Sequence, residues 1–172
     1  MASKHILRGA LAGVAGGLVA SWVMNEFSAT LGAKLSTAVE TPAEQRLLAL
    51  ESDGEDATMK AADKIVEEVT GGRHLTHTQR ERGGPIVHYA MGALAGGVYG
   101  ALAEYSPAAR SGFGTAFGGI LFATADLFGV PLAGLGKWPD QYPVSSLANP
   151  LAAHLVYGAT TELVRRLART VL

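Results

Sequence analysis

The sequence lacks cysteine and has little charge of either sign. The absence of cysteine among its 172 residues excludes disulfide bonds, thiolate nucleophiles and cysteine-based zinc or iron–sulfur sites. Charged residues make up 17% of the chain, against about 25% in an average soluble domain. With a formal net charge of −1 and no nucleic-acid-reading motif, the chain has no basic surface for nucleic acid, and we predict no such partner.

Catalytic signatures are missing as well. The chain has no Gly-x-Ser-x-Gly elbow, Walker loop or His-Glu-x-x-His motif. Gly112-Phe113-Gly114 begins like a dinucleotide fingerprint, but Phe117 takes the place of the third glycine and no strand precedes it. We therefore predict that the protein is not an enzyme.

Apolar residues (48%) and 22 glycines dominate the remaining composition. Four runs have membrane-crossing character, residues 6–30, 85–105, 110–135 and 149–167. No charge occurs between Gly83 and Ala103, a run able to cross the hydrocarbon layer as a helix of about 20 residues. The sequence predicts an all-α, four-helix transmembrane bundle, a single membrane domain over residues 1–172 that lies in a lipid bilayer.

Small residues recur at every fourth position within these runs, which places them on one face of each helix. This spacing lets helix backbones approach closely in lipid. We predict glycine-rich packing faces, and they support an alternative function as a structural module that docks in a homo-oligomer or against another membrane protein. The stripes include Gly9, Gly13, Gly17, Ser21 and Asn25; Gly92, Gly96, Gly100 and Glu104; Gly114 and Gly118; and His154, Gly158 and Glu162.

The long segment between the first two runs, residues 34–84, is predicted to be an outer loop with two short amphipathic helices. Thr41 to Glu44 has the pattern of a capping box with Pro42 at the first helical position. A second helix is predicted from Ala57 to Val69, ending at the following glycines. Residues 73–84 are interpreted as a polar linker.

Basic residues predict the orientation. They lie at the N-terminus, in the turn after the second run and at the C-terminus, all on one side of a bundle with four crossings. The positive-inside rule assigns that side to the cytoplasm. We predict a multi-pass protein of a bacterial cytoplasmic membrane with both termini cytoplasmic.

A few polar residues fall within the apolar runs. With a helical rise of about 1.5 Å per residue, His88, Asp126, His154 and Glu26 all lie in the outer third of the bundle. Imidazoles and carboxylates bind divalent metals, and they also bind protons near neutral pH. These four residues are candidate ligands for a metal or a proton. Simple hydrogen bonding between helices and a pocket for a ligand or lipid headgroup remain open alternatives.

At the inner end, Glu104 and Glu162 are predicted to pair with arginines. Glu162 and Arg166 have the favourable i, i+4 order. We interpret these pairs as an ion-pair lock rather than a catalytic dyad.

Part of the chain, roughly residues 83–169, has a recognisable pattern. The pattern comprises His88, Tyr99, Ala103-Glu104, Pro107, Gly114, Gly118, Pro131 to Leu135, His154-Leu155-Val156, Glu162 and Arg165-Arg166. It is similar to that of the YagU-like family of small bacterial inner-membrane proteins. The resemblance implies an integral protein of the bacterial cytoplasmic membrane with no settled biochemical activity, whose relatives carry His at the position of Asp126.

Overall fold

The structure, a computed structural model, describes residues 2–171, and no strand occurs among them. The helices are α1 Ala2–Phe27, α2 Ala33–Val39, α3 Pro42–Glu51, α4 Ala57–Thr70, α5 His77–Tyr105, α6 Thr115–Leu121, α7 Val130–Leu132 and α8 Ala148–Arg169. A π-helical turn, Ser28–Gly32, joins α1 and α2 into one continuous rod. A 3₁₀ turn, Pro107–Gly114, precedes α6, and a second π-helical turn, Phe122–Gly129, joins α6 to α7, so that residues 107–132 form what we call the third rod.

Three of these rods are long and apolar enough to cross a membrane: His5–Val39, His77–Tyr105 and Pro107–Leu132. These three agree with the predicted spans in length and apolar composition. The fourth predicted span, residues 149–167, is not among them. The reason is that α8 carries ionised groups on its inward face, where Glu162 and Arg165 are buried.

Local signals account for most helix boundaries. The predicted capping box forms at α3, where the Thr41 backbone N–H donates to Glu44 Oε2 at 2.7 Å. A capping box at Thr76 and Gln79 begins α5 eight residues before the predicted start, so the expected linker is helical from His77 onward. Within the third rod, Pro107–Leu132, the regular helix α6 begins only at Thr115, because the backbone is not helical from Ser111 to Phe113.

The rods pack side by side in the order α5, α1, α8 and α6. A Cβ placed on Gly13 of α1 would lie 2.9 Å from Gly100 Cα of α5. A Cβ placed on Gly158 of α8 would lie 2.9 Å from the Gly118 nitrogen of α6. Since backbone cannot move aside as a side chain can, these contacts require glycine. The small-residue stripes predicted from the sequence thus lie against each other within one chain.

The bundle has two distinct ends. We call one the arginine end, where Arg165, Arg166 and Arg169 lie beside the start of α1 and the close of α5. At the other, the cavity end, α4 packs on the first turns of α5 and the segment before α8 folds over. Lys64 Nζ of α4 donates to the Ala133 carbonyl at 2.9 Å and ties these two parts together.

The outer surface of the rods is apolar. Large hydrophobic side chains that would be unusual as a continuous patch on a soluble monomer stand exposed along the spanning segments. This surface suits contact with acyl chains. Among the exposed side chains are Leu7, Leu11, Leu18, Trp22, Leu94, Val98, Leu102, Ile120, Phe128, Leu163 and Leu167.

Candidate functional site

At the arginine end, one buried carboxylate collects three donors. Glu162 has no exposed surface, and its oxygens accept hydrogen bonds from Tyr99 Oη at 2.8 Å, Arg165 Nε at 2.8 Å and Arg166 Nε at 2.6 Å. The Arg166 guanidinium also lies 4.6 Å from the centre of the Phe113 ring. The predicted pair of Glu162 and Arg166 is confirmed.

The network continues to the end of α5. Glu104 Oε1 accepts from Arg165 at 3.2 Å and from Arg169 Nε at 2.8 Å. Arg165, 4% exposed, therefore connects two carboxylates on two helices. Because each carboxylate already has several charged donors, this cluster joins α5 to α8 and has little capacity left for a ligand.

The cavity end contains an open space where the arginine end has a completed hydrogen-bond network. The rings of Tyr99 on α5 and Phe117 on α6 lie 4.8 Å apart. Beyond them, α5 and the third rod enclose a cavity of about 1020 Å³ whose other walls are α1, α4 and α8. Its lining is mainly apolar, with Met91, Phe122 and Val130 among the contributors. This volume is at the upper end of the range of about 300–1,000 Å³ that is usual for small-molecule sites.

A histidine and a carboxylate meet on the cavity wall. His154, 7% exposed, has Nδ1 at 2.9 Å from the Pro150 carbonyl oxygen, one turn earlier in α8. A carbonyl oxygen only accepts, so Nδ1 carries the hydrogen and Nε2 is the free basic nitrogen. Asp126 Oδ2 of the third rod lies 3.6 Å from the same Nδ1. The pair thus offers one proton-binding nitrogen and one carboxylate with spare acceptor positions.

The opposite wall holds further polar groups. His88 Nε2 of α5 lies 3.5 Å from the Ser21 carbonyl oxygen of α1. Tyr157 Oη donates to the Gly92 carbonyl at 2.6 Å and so links α8 to α5. Ser21 is 1% exposed, and its hydroxyl has no hydrogen-bond partner in the part of the chain that the structure describes.

Three of the four predicted site residues line this one cavity, namely His88, Asp126 and His154. The structure does not bring Glu26 to them. Glu26 is exposed, while its neighbour Asn25 lines the cavity, since consecutive helical residues point about 100° apart. Within residues 2–171 no three His, Asp or Glu side chains are grouped closely enough to hold a metal ion, so the predicted four-residue ligand set is not assembled.

Sequence reasoning missed several buried polar residues of α5 and α8, of which Tyr157 lines the cavity. Tyr157 and Thr161 follow His154 on the inward face of α8, and their spacing of three to four residues was a usable signal. Tyr99 appeared in the family pattern without a role. The cavity itself had no sequence signal, because it arises from the divergence of two rods.

A smaller charged cluster ties α4 to the start of α5. The Leu75 backbone N–H and then His74 bond to Asp63 and lower the pKa of that carboxyl. The hydrogen bond from His74 Nδ1 to Asp63 at 3.0 Å, followed by the charge of Glu67, raises the pKa of His74. His74 remains 61% exposed, so its hydrogen bond to Asp63 is in contact with solvent.

Comparisons with protein-family models, with curated proteins and with solved structures each find no match for this chain. The resemblance to the YagU-like family therefore stays a prediction.

Proposed function

We propose that the protein is an integral membrane protein that crosses the bilayer with four rods, α8 being the fourth. Its three companions have membrane-spanning length and hydropathy. The helix α8 packs along α1, from Asn149 beside Gly32 to Thr161 beside Gly16. Its buried ionised groups, Glu162 and Arg165, face the interior, while Leu151, Leu163 and Leu167 are exposed on its outer face. The exposed Arg166 lies in the last turn, at the arginine end, where a long side chain can reach the polar headgroups.

The arginine end faces the cytoplasm in this proposal, and both termini lie there, in agreement with the positive-inside rule. The lack of cysteine makes a direct test simple. Single cysteines at Ser111, in the turn of the arginine end, and at Ala43, in α3, should react oppositely with an impermeant maleimide added to intact cells. We expect labelling of the Ala43 variant alone. Labelling of both positions, or of Ser111 alone, contradicts this orientation.

We further propose that the cavity is a proton-binding site, with Asp126 and His154 as the exchanging groups. The observation that supports it is the distance of 3.6 Å between Asp126 Oδ2 and His154 Nδ1 on the wall of the cavity. A protonated His154 would be paired with the carboxylate, and a protonated Asp126 would leave no net charge. Uptake of one proton neutralises the pair, and its release leaves the negative charge on Asp126, whose side chain is 36% exposed.

Two other roles have less support. A divalent metal needs more ligands than the pair supplies, and His154 Nδ1 is already occupied by the Pro150 carbonyl. A structural module docking through glycine faces would need those faces to be free. In this chain Gly13 faces Gly96 and Gly100, and Gly118 faces His154, so an oligomer would have to use other surfaces.

Infrared difference spectroscopy tests the proton site. We expect the band of a protonated carboxyl group to appear as the pH falls from about 8 to about 5, the range in which imidazoles exchange protons. The band should be absent from Asp126→Asn, and its midpoint should move in His154→Ala. Glu26→Gln, which alters an exposed carboxylate outside the cavity, is the matched control and should keep the band. A band that persists in Asp126→Asn contradicts the proposal that Asp126 exchanges the proton.

A further inference from the structure

The charged groups on the cavity wall differ in whether they already have a hydrogen-bond or ion-pair partner. Lys137 Nζ is paired with Glu51 at 2.7 Å, and Asp56 Oδ1 accepts from the Met59 backbone N–H at 2.8 Å as the cap of α4. Asp126 accepts no hydrogen bond from residues 2–171 within 3.5 Å, and His154 lies just beyond. The wall therefore presents one uncommitted carboxylate and no uncommitted lysine or arginine.

The space beside this carboxylate is large and apolar. The walls come from residues 85–95 of α5 and 121–130 of the third rod, both inside spanning segments. A molecule that fills this space would accordingly be mainly apolar.

We infer that the cavity binds a lipophilic cation, a molecule with an apolar body and one positive charge that pairs with the Asp126 carboxylate. This inference rests on the proposed function, because the cation and the proton share that carboxylate. An apolar body gains from burial, and a cation next to a carboxylate in a low-dielectric site is stabilised more than in water. An anion of the same size would face an unpaired carboxylate and be rejected.

The proton and the lipophilic cation compete for the Asp126 carboxylate, so binding of the lipophilic cation should depend on pH. At low pH, protonation of Asp126 removes the charge that attracts the ligand, so affinity should fall. Other titratable groups face the same space and set the steepness of this fall. They are His154 and Tyr157 from α8, His88 from α5, Asp56 just before α4, and Lys137 and Tyr142 from the segment before α8, whereas α1 supplies only uncharged groups.

Two probes of nearly equal size and opposite charge test the proposal. Tetraphenylphosphonium and tetraphenylborate are titrated by calorimetry into the full-length protein in dodecyl maltoside. We expect saturable binding of tetraphenylphosphonium that weakens toward acid pH, and no comparable binding of tetraphenylborate. Asp126→Asn should lower the phosphonium affinity at least about tenfold, the effect of removing one partner of a buried charge pair.

Two control variants separate the effect of the Asp126 charge from the effect of the cavity volume. Glu26→Gln removes a carboxylate outside the cavity and should leave affinity unchanged. Ala95→Phe keeps Asp126 but fills part of the cavity, and it should abolish phosphonium binding. Equal binding of both probes, or undiminished affinity in Asp126→Asn with a normal unfolding midpoint, overturns the inference.

The outcomes distinguish this inference from the proton site on which it rests. If the Asp126 infrared band titrates and no phosphonium binds, the proton site stands and the cation site falls. If phosphonium binds through Asp126 with no pH dependence and no infrared band titrates, the proton site falls and the cation site stands. Phosphonium affinity that is insensitive to both Asp126→Asn and Ala95→Phe rejects the cavity as the site.

Discussion

The two ends of the bundle contain the same kinds of polar residue, but the carboxylates there differ in their hydrogen-bond partners and in the packing around them. At the arginine end, Glu162 is fully buried and has three charged or hydroxyl donors, and the glycine stripes close the space around it. At the cavity end, Asp126 has no donor within hydrogen-bond distance in residues 2–171, and a cavity of about 1020 Å³ lies beside it. A completed network in a close-packed region stabilises the fold, whereas spare acceptors beside open space can bind something else.

The largest effect should come from breaking the completed network. Glu162→Ala leaves Arg165 buried without its main partner, and we expect a loss of about 3–5 kcal/mol in the free energy of unfolding. Reversible unfolding in mixed micelles measures it. Arg166→Ala removes a donor to the same carboxylate from a side chain that is 52% exposed, and it should cost less than about 1 kcal/mol. Similar losses in the two variants would contradict the account of this end.

Neighbouring glycines on α6 provide the next test. A Cβ on Gly118 would lie 2.9 Å from the His154 carbonyl carbon, while a Cβ on Gly119 would lie 3.8 Å from Leu155 Cδ2. We expect Gly118→Ala to destabilise the protein by about 1–3 kcal/mol because α6 and α8 must separate. Gly119→Ala, at an ordinary contact distance, should be neutral or stabilising by up to about 1 kcal/mol. Thermal unfolding of this matched pair decides whether close backbone contact is required.

The cavity end should tolerate substitution of its own charged pair. Asp126 gives up no hydrogen bond on becoming asparagine, so Asp126→Asn should change the unfolding free energy by less than about 1 kcal/mol. The same unfolding assay used for Glu162→Ala measures this. A loss as large as that of Glu162→Ala would mean that Asp126 is a structural residue.

The smallest effect concerns pH and the connection between α4 and α5. The pKa of His74 is raised above its ordinary value of 6.5, so its contribution is complete below pH 6.5 and lost as the pH rises through the folded pKa. The pKa of Asp63 is lowered from 3.8, so its contribution is complete above pH 3.8 and lost as the pH falls through the folded pKa. Protection factors for amide exchange in α4, which correct for the intrinsic pH dependence of exchange, should therefore be largest between these limits. His74→Gln should remove the change on the alkaline side, and an unchanged profile in that variant would exclude His74 as its source.

The sequence predicted those parts of the fold that depend on periodicity and local capping. The stripes of small residues on α1 and α5, the capping box at Thr41 and the end of α4 at Gly71 follow from residues close in sequence. The start of α5 was missed because Thr76 and Gln79 lie in a polar stretch that resembles a linker.

The candidate site was only partly predictable. Helical rise placed His88, Asp126 and His154 at one level, and all three line the same cavity. The cavity depends on the divergence of α5 from the third rod, a tertiary feature without a local pattern. Depth alone also could not distinguish Asn25, which faces the cavity, from Glu26, which faces outward.

Two measurements on the variants Asp126→Asn and Glu162→Gln test the difference between the two ends most directly. For each variant, tetraphenylphosphonium affinity and unfolding free energy are determined in the same detergent. We expect Asp126→Asn to lose affinity at least about tenfold with little change in stability. We expect Glu162→Gln to lose several kcal/mol of stability, about 3–5 at most, and to keep its affinity under conditions where it is folded. If Asp126→Asn instead loses stability and keeps its affinity, the assignment of binding to the cavity end is wrong.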